Sequence, residues 1–308
     1  MKKVIPFFLS CLLAVAVLFT SCKKDDTNPV ADNTDLAQHS DDQSRFSQEI
    51  DAVANDANTS IDNFVAFDGF VESTMGVICD ATAVLDSADG KRRITITYNG
   101  QNCSGTRTRT GVVVLSMPLA SRWKDAGAVL TVDVQQLKVT RILDGKSITI
   151  NGTTTITNVS GGRLRDLATL GTIKHTISST GMSITFDNGS QRVWQIAKER
   201  VFTYNNGVVI TTNGTHTDGN ITGISEWGTN RFGNEFVTSI STPMVIRQDC
   251  NFRLVSGQVT HQRLLATTVV TFGLDSAGNP VSCPSGNFYF KIVWTGTNGI
   301  VSTYILPY

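Results

Sequence analysis

Sulfur carries the clearest chemistry in this 308-residue chain, which has cysteines at Cys11, Cys22, Cys79, Cys103, Cys250 and Cys283. Cys11 lies in the amino-terminal leader treated below, and Cys22 directly follows it. The remaining four are even in number, which in an exported protein favours two disulfides. Four cysteines allow three pairings. Cys79–Cys103 with Cys250–Cys283 is favoured, because each bridge then brackets one local β unit. Zinc is disfavoured: no CxxC occurs, and no histidine stands at ligand spacing beside these cysteines. Neither metal nor cofactor is expected.

The other reactive side chains do not assemble into a motif. There is no GxSxG elbow, HExxH, P-loop or EF-hand loop. His39, His175, His216 and His261 are isolated, and His175 and His216 sit in Thr-rich runs that read as exposed strand. Arg92, Arg93, Arg107 and Arg109 form a local basic cluster. It is read as a solvated loop near a disulfide, with an anion or acidic-glycan contact as the sharper alternative. Trp123, Trp194, Trp227 and Trp294 could stack on sugars, but core or rim packing is the default for tryptophan on a sheet. Asp86-Ser87-Ala88 and Asp275-Ser276-Ala277 resemble the short acceptor motif of protein O-glycosylation in the Bacteroidota. Ser87 and Ser276, in expected turns, are therefore candidate modification sites.

The leader has the layout of a secretory signal, residues 1–21. Lys2 and Lys3 precede an apolar run from Val4 to Phe19 and small residues before Cys22. The run is shorter than the roughly 20 residues a helix needs to span a bilayer. Phe19-Thr20-Ser21-Cys22 resembles the lipobox of bacterial lipoproteins, in which the cysteine sulfur takes a diacylglycerol and the new amino terminus is acylated. Lys23-Lys24-Asp25-Asp26 resembles the export signal of Bacteroidota surface lipoproteins. The resemblances imply lipid attachment at Cys22, a membrane partner through that anchor, and an outer-membrane, cell-surface location. Two or more acyl chains give stable anchoring where one does not.

Composition bounds the rest. Hydrophobic residues make up 40% and charged residues 17%, enough for a packed core, and Lys+Arg balances Asp+Glu at 26 each. No basic excess points to nucleic acid. Residues 22–39 are polar and read as a lipidated flexible tether. Residues 40–62 read as one short helical segment. Ser40 is its cap, and Phe46, Ile50, Val53, Ala54, Ala57 and Ile61 line one face. From about residue 70 to 308 the pattern turns to period two, as in Arg93 to Tyr98. In the segment opening at Ala128, alternation is expected only from Val132.

Asp144-Gly145, Asn151-Gly152, Asn188-Gly189, Asn206-Gly207, Asn213-Gly214, Asp218-Gly219 and Asn298-Gly299 read as hairpin turns. Residues 145–155 and 207–217 share the pattern G-x-x-I-T-x-N-G-T-x-T. They are read as two similar hairpins flanked by the two cysteine units. The expected body is all-β: an antiparallel meander, a sandwich, or a curved open sheet.

Cys103-Ser104-Gly105 with Arg107, Arg109 and Gly111, then Gly228 to Arg231 with Gly233, then Thr242 to Val245 running to Cys250, resemble a group of Bacteroidota lipoproteins without an established activity. That resemblance implies location and fold, not mechanism. Three function classes follow. The leading one is a non-enzymatic lipoprotein that binds or displays a glycan or protein ligand. A carrier of lipid or another hydrophobic ligand in an apolar pocket is the second. A glycan hydrolase with an unrecognised site is the third.

Overall fold

Thirty-five residues with no glycine, and with proline only at the first position, form one long helix, α1 (Pro29–Asn63). Proline is tolerated there because the first helical N–H has no partner to lose. The computed structural model describes residues 29–64, 78–263, 266–283, 286–296 and 299–307. The leader, Cys22 and the expected body boundary at residue 70 lie outside the described residues.

The helix is longer than the short segment expected at 40–62, and residues 29–39 of the expected tether belong to it. Ser40 is no cap: it lies inside the helix and is buried. A polar stretch resembles a linker in composition, but here it continues into helix residues that pair with the sheet, Asp41 with Arg141 and Asp42 with Arg231.

Fifteen antiparallel strands among the described residues make one continuous sheet. In chain order they are β1 (Ala81–Ala88), β2 (Lys91–Gln101), β3 (Arg107–Pro118), β4 (Ala128–Arg141), β5 (Ser147–Asn158), β6 (Thr172–Phe186), β7 (Gln191–Tyr204) and β8 (Val208–Gly214). There follow β9 (His216–Asp218), β10 (Ile221–Thr229), β11 (Glu235–Arg247), β12 (Arg253–Arg263), β13 (Ala266–Leu274), β14 (Tyr289–Thr295) and β15 (Val301–Pro307). Each strand pairs with its sequence neighbour, except between β7 and β11. There β8 pairs with one half of both strands and β10 with the other half. The fold is thus the meander and curved sheet, not a sandwich.

Alternation decides what faces the helix. Ala128, Leu130, Val132 and Val134 of β4 are buried, so the alternation begins at Ala128; Val129 points outward and is half exposed. A bulge at Gln135 and Gln136 then shifts the parity, and Leu137 and Val139 become the inward residues. Bulges also interrupt the β3–β4, β5–β6 and β6–β7 registers. Each bends its strand and increases the local twist, so the sheet curls. Its concave side packs on Phe46, Ile50, Val53, Ala54, Ala57 and Ile61 of α1 in one apolar cluster with the inward residues of β2 to β7.

Two of the Asn-Gly pairs are not turns. Asn151-Gly152 lies within β5, and Asn213-Gly214 ends β8. What the two similar segments share is a turn glycine, a strand, and then a glycine pressed against neighbouring backbone. A Cβ on Gly152 would lie 2.8 Å from the Gly181 carbonyl oxygen, and one on Gly214 would lie 2.0 Å from that of Gly223.

The same crowding gives a prediction at Gly273 of β13. Its φ is +79°, and an added Cβ would fall 1.9 Å from the Val255 carbonyl oxygen, whereas Gly219 at φ +56° would meet nothing within 4 Å. Gly273→Ala is expected to cost about 2–3 kcal/mol, against about 1 kcal/mol for Gly219→Ala. Urea denaturation of the two variants side by side checks the difference.

Candidate functional site

The most unusual chemistry in the molecule is a charged seam between α1 and the concave face of the sheet. Trp194, Ile196, Lys198 and Arg200 alternate along β7 and are all buried. Glu226 of β10 lies opposite Ile196 and is fully buried. Lys198 Nζ sits 2.7 Å from Glu226 Oε1 and 3.8 Å from Asp51 of the helix. Glu226 also accepts hydrogen bonds from Gln43 Nε2 (3.1 Å), Trp194 Nε1 (3.2 Å) and the Ser47 hydroxyl. Arg200 reaches Asp51 at 3.4 Å and donates to Asn55 Oδ1 at 3.2 Å. Burial pulls the Lys198 ammonium toward the neutral form, but Asp51 and Glu226 outweigh it and its pKa is raised.

Two further groups extend the seam toward both ends of the helix. Arg109 grips Asp80 through two bonds of 2.6 and 2.7 Å and Asp56 through one of 2.8 Å. The Tyr98 hydroxyl donates to Asp56 at 2.8 Å, and the Arg109 guanidinium lies 4.3 Å from the Tyr98 ring centroid. Arg107 pairs with Glu49 at 2.7 Å. Near the start of the helix, Arg231 binds both oxygens of Asp42 at 2.6 Å and Asp187 at 2.7 Å. Arg141 binds Asp41 at 2.6 Å. Desolvation is the largest influence on Asp42, Glu49 and Asp56 and raises the pKa of each, despite the nearby arginines.

Three histidines are interior. His261 Nδ1 hydrogen-bonds Thr238 Oγ1 at 2.8 Å, and its Nε2 has no hydrogen-bond partner among the described residues. Burial lowers its pKa to about 4, against a small upward pull from Glu226. His39 of α1 packs edge-on against Phe236 and His261, with ring centroids 4.7 and 5.6 Å apart. His175 lies between Trp123 and Phe202, and burial, aided by Arg200, lowers its pKa to about 3. His175 is therefore buried, not the exposed strand residue its Thr-rich run suggests. His216 stacks on Trp227 at 4.1 Å.

The candidate residues read from the sequence are scattered by the fold. Cys79 is joined to Cys103, and Cys250 to Cys283. Asp249 lies close to the second bridge, but those two sulfurs are bonded to each other, which leaves no thiolate to hold a metal. A cleft of about 280 Å³ opens beside this bridge, lined by Asp249, Arg253 and Phe288 among others. Ser276 is exposed in a turn organised by the Asp275 carboxylate, which accepts from the backbone N–H groups of Ala277 and Asn279. Ser87 is also exposed but stands in β1 rather than in a turn.

The arginine cluster divides. Arg92 donates to the Leu119 and Ser121 carbonyls, and Arg93 pairs with Asp86 at the surface. Arg107 and Arg109 turn inward to the helix and are not part of a solvated loop. Trp123, Trp194 and Trp294 are buried. Lys198, Arg200 and Glu226 escaped the sequence reading, because one charge at each inward strand position looks the same as a polar outer face. The available signal was the acidic run of α1 set against arginines on alternating strand positions. The arrangement ties the helix to the sheet: the two oxygens of Glu226 are committed to four donors. No protein-family model, no curated protein and no solved structure matches this chain.

Proposed function

We propose that the protein is a lipid-anchored component of the cell envelope, acylated at Cys22, that binds or displays a ligand at the outer surface without catalysing a reaction. The observation that carries this reading is the filling of the concave face of the sheet by α1, with its charges paired. An apolar ligand would find ion pairs there instead of a hydrophobic pocket, which argues against the carrier. The neighbouring carboxylates Asp56 and Asp80 are both spent on Arg109, which argues against a glycosidase pair, in which one acid must stay free to donate a proton. Two disulfides suit an oxidising compartment. The leader and the Lys23-Lys24-Asp25-Asp26 stretch support the location. No described helix is long and apolar enough to cross a membrane.

Cys22→Ser tests the reading. Wild type is expected to incorporate labelled fatty acid and to fractionate with membranes, while the variant does neither. A variant that stays with the membranes, or a wild type without label, overturns it.

A further inference from the structure

The antiparallel meander sends the turns 102–106, 142–146, 187–190 and 230–234, and the facing ends of β14 and β15 at Gly296 and Ile300, to one end of the sheet. The same end receives the amino-terminal part of α1, since Asp41 is held by Arg141 and Asp42 by Arg231, at the bases of two of these turns, and Pro29 precedes Asp41 by twelve residues, about 18 Å of helix. The far end of the helix meets the opposite end of the sheet, where the Arg165 N–H bonds to Asp62. Cys22 precedes Pro29 by seven residues, a length of chain that spans at most about 25 Å when fully extended. A lipid on Cys22 therefore draws this end, and not the other, toward the bilayer.

Apolar side chains stand in water at the tips of two of these turns and beside the start of β15. Leu143 is 87% exposed, Ile142 49%, Ile300 50% and Phe232 41%. Exposed apolar groups at one end of a body are suited to an interface that removes them from water. Several backbone N–H groups at these tips are bonded internally. The Gly145 N–H bonds to the Arg141 carbonyl, Gly233 to Asn230 and Gly299 to Gly296. The N–H groups of Phe232 and Asn234 both donate to Asn230 Oδ1. Turns closed in this way enter a low-dielectric layer at less cost than open ones. Leu119, Leu170 and Phe252 are exposed at the opposite end, but no chain there leads to a lipid.

We propose that the end of the body carrying Ile142, Leu143, Phe232 and Ile300 rests on the bilayer, with these tips in the interfacial layer. The proposal rests on acylation of Cys22. It fixes the orientation of the molecule: the cleft beside Cys250–Cys283 then faces away from the membrane.

The test uses the full-length acylated protein in phosphatidylethanolamine–phosphatidylglycerol vesicles that carry nitroxide-labelled lipid. Leu143→Cys, or Leu170→Cys at the opposite end, is labelled with an environment-sensitive fluorophore. Both positions are exposed, so neither change disturbs the core. Quenching at residue 143 is expected to exceed that at residue 170 by about threefold or more. Equal quenching at both, or more at 170, overturns the proposal. The mass of the amino-terminal peptide separates the two levels of failure. An acylated peptide with equal quenching overturns the orientation alone, whereas a peptide without acyl chains overturns the anchor and the orientation together.

Discussion

Glu226→Ala should destabilise the fold by about 3–5 kcal/mol, the usual cost of breaking one side of a buried ion pair. The loss comes from what remains. The Lys198 side chain is only 4% exposed, and its other carboxylate, Asp51, lies 3.8 Å away. Trp194 Nε1, Gln43 Nε2 and the Ser47 hydroxyl lose their shared acceptor at the same time. At about 2–4 °C per kcal/mol for a chain of this size, the melting temperature should fall by roughly 10 °C. Replacing both partners, as Lys198→Met with Glu226→Leu, should recover most of this, because no uncompensated charge is left. Hydrogen exchange should find the weakening in α1, which the pair helps to hold. A single variant losing less than about 1 kcal/mol in urea would show that the seam does not hold the helix.

That seam also marks the limit of what the sequence discloses. Strand residues such as Ile94 and Ile96 are legible because apolar side chains facing in and polar ones facing out follow period two. Val129 misleads, because an apolar residue on the outer face looks like a broken alternation. Asn151-Gly152 misleads in another way. The glycine serves close backbone approach within a strand, and composition does not distinguish that use from a hairpin turn. Helix α1 is harder still. Its apolar face is readable from Phe46 to Ile61, but its length is not. Residues 29–39 resemble a linker in composition, and Asp41, Asp42 and Glu49, though inside the legible helix, give no local sign of their partners Arg141, Arg231 and Arg107, about 58 to 190 residues further along. A buried charge is stable only by virtue of a partner, and a partner remote in sequence leaves no local period to detect.

Acid should unfold the protein earlier than its carboxylates alone dictate, because two buried histidines are kept neutral. His175 is held at about 3 by burial, with Arg200 beside it, and His261 at about 4 by burial, with Glu226 and His39 nearby. Both values lie below the ordinary 6.5 of the unfolded chain. A depressed pKa means that the unfolded chain binds the proton first. The stability from each histidine is therefore complete above pH 6.5 and drains away as the pH falls toward the folded values. At pH 4.5 the loss amounts to about 2–3 kcal/mol for each, and about 5 kcal/mol for the two together. Asp42, Glu49 and Asp56 act in the opposite sense. Their raised pKa values let the folded protein bind protons first, so their contribution grows on acidification and offsets part of the loss. The histidine share is isolated by difference. With His175→Gln and His261→Gln combined, urea stability at pH 7 falls by whatever packing the imidazoles supplied. From pH 7 to 4.5, however, the variant should lose about 5 kcal/mol less than wild type. Parallel stability–pH curves for the two proteins would mean that the imidazoles take up protons in the folded state as readily as in water, and that the interior around Trp123 and Thr238 is open to solvent.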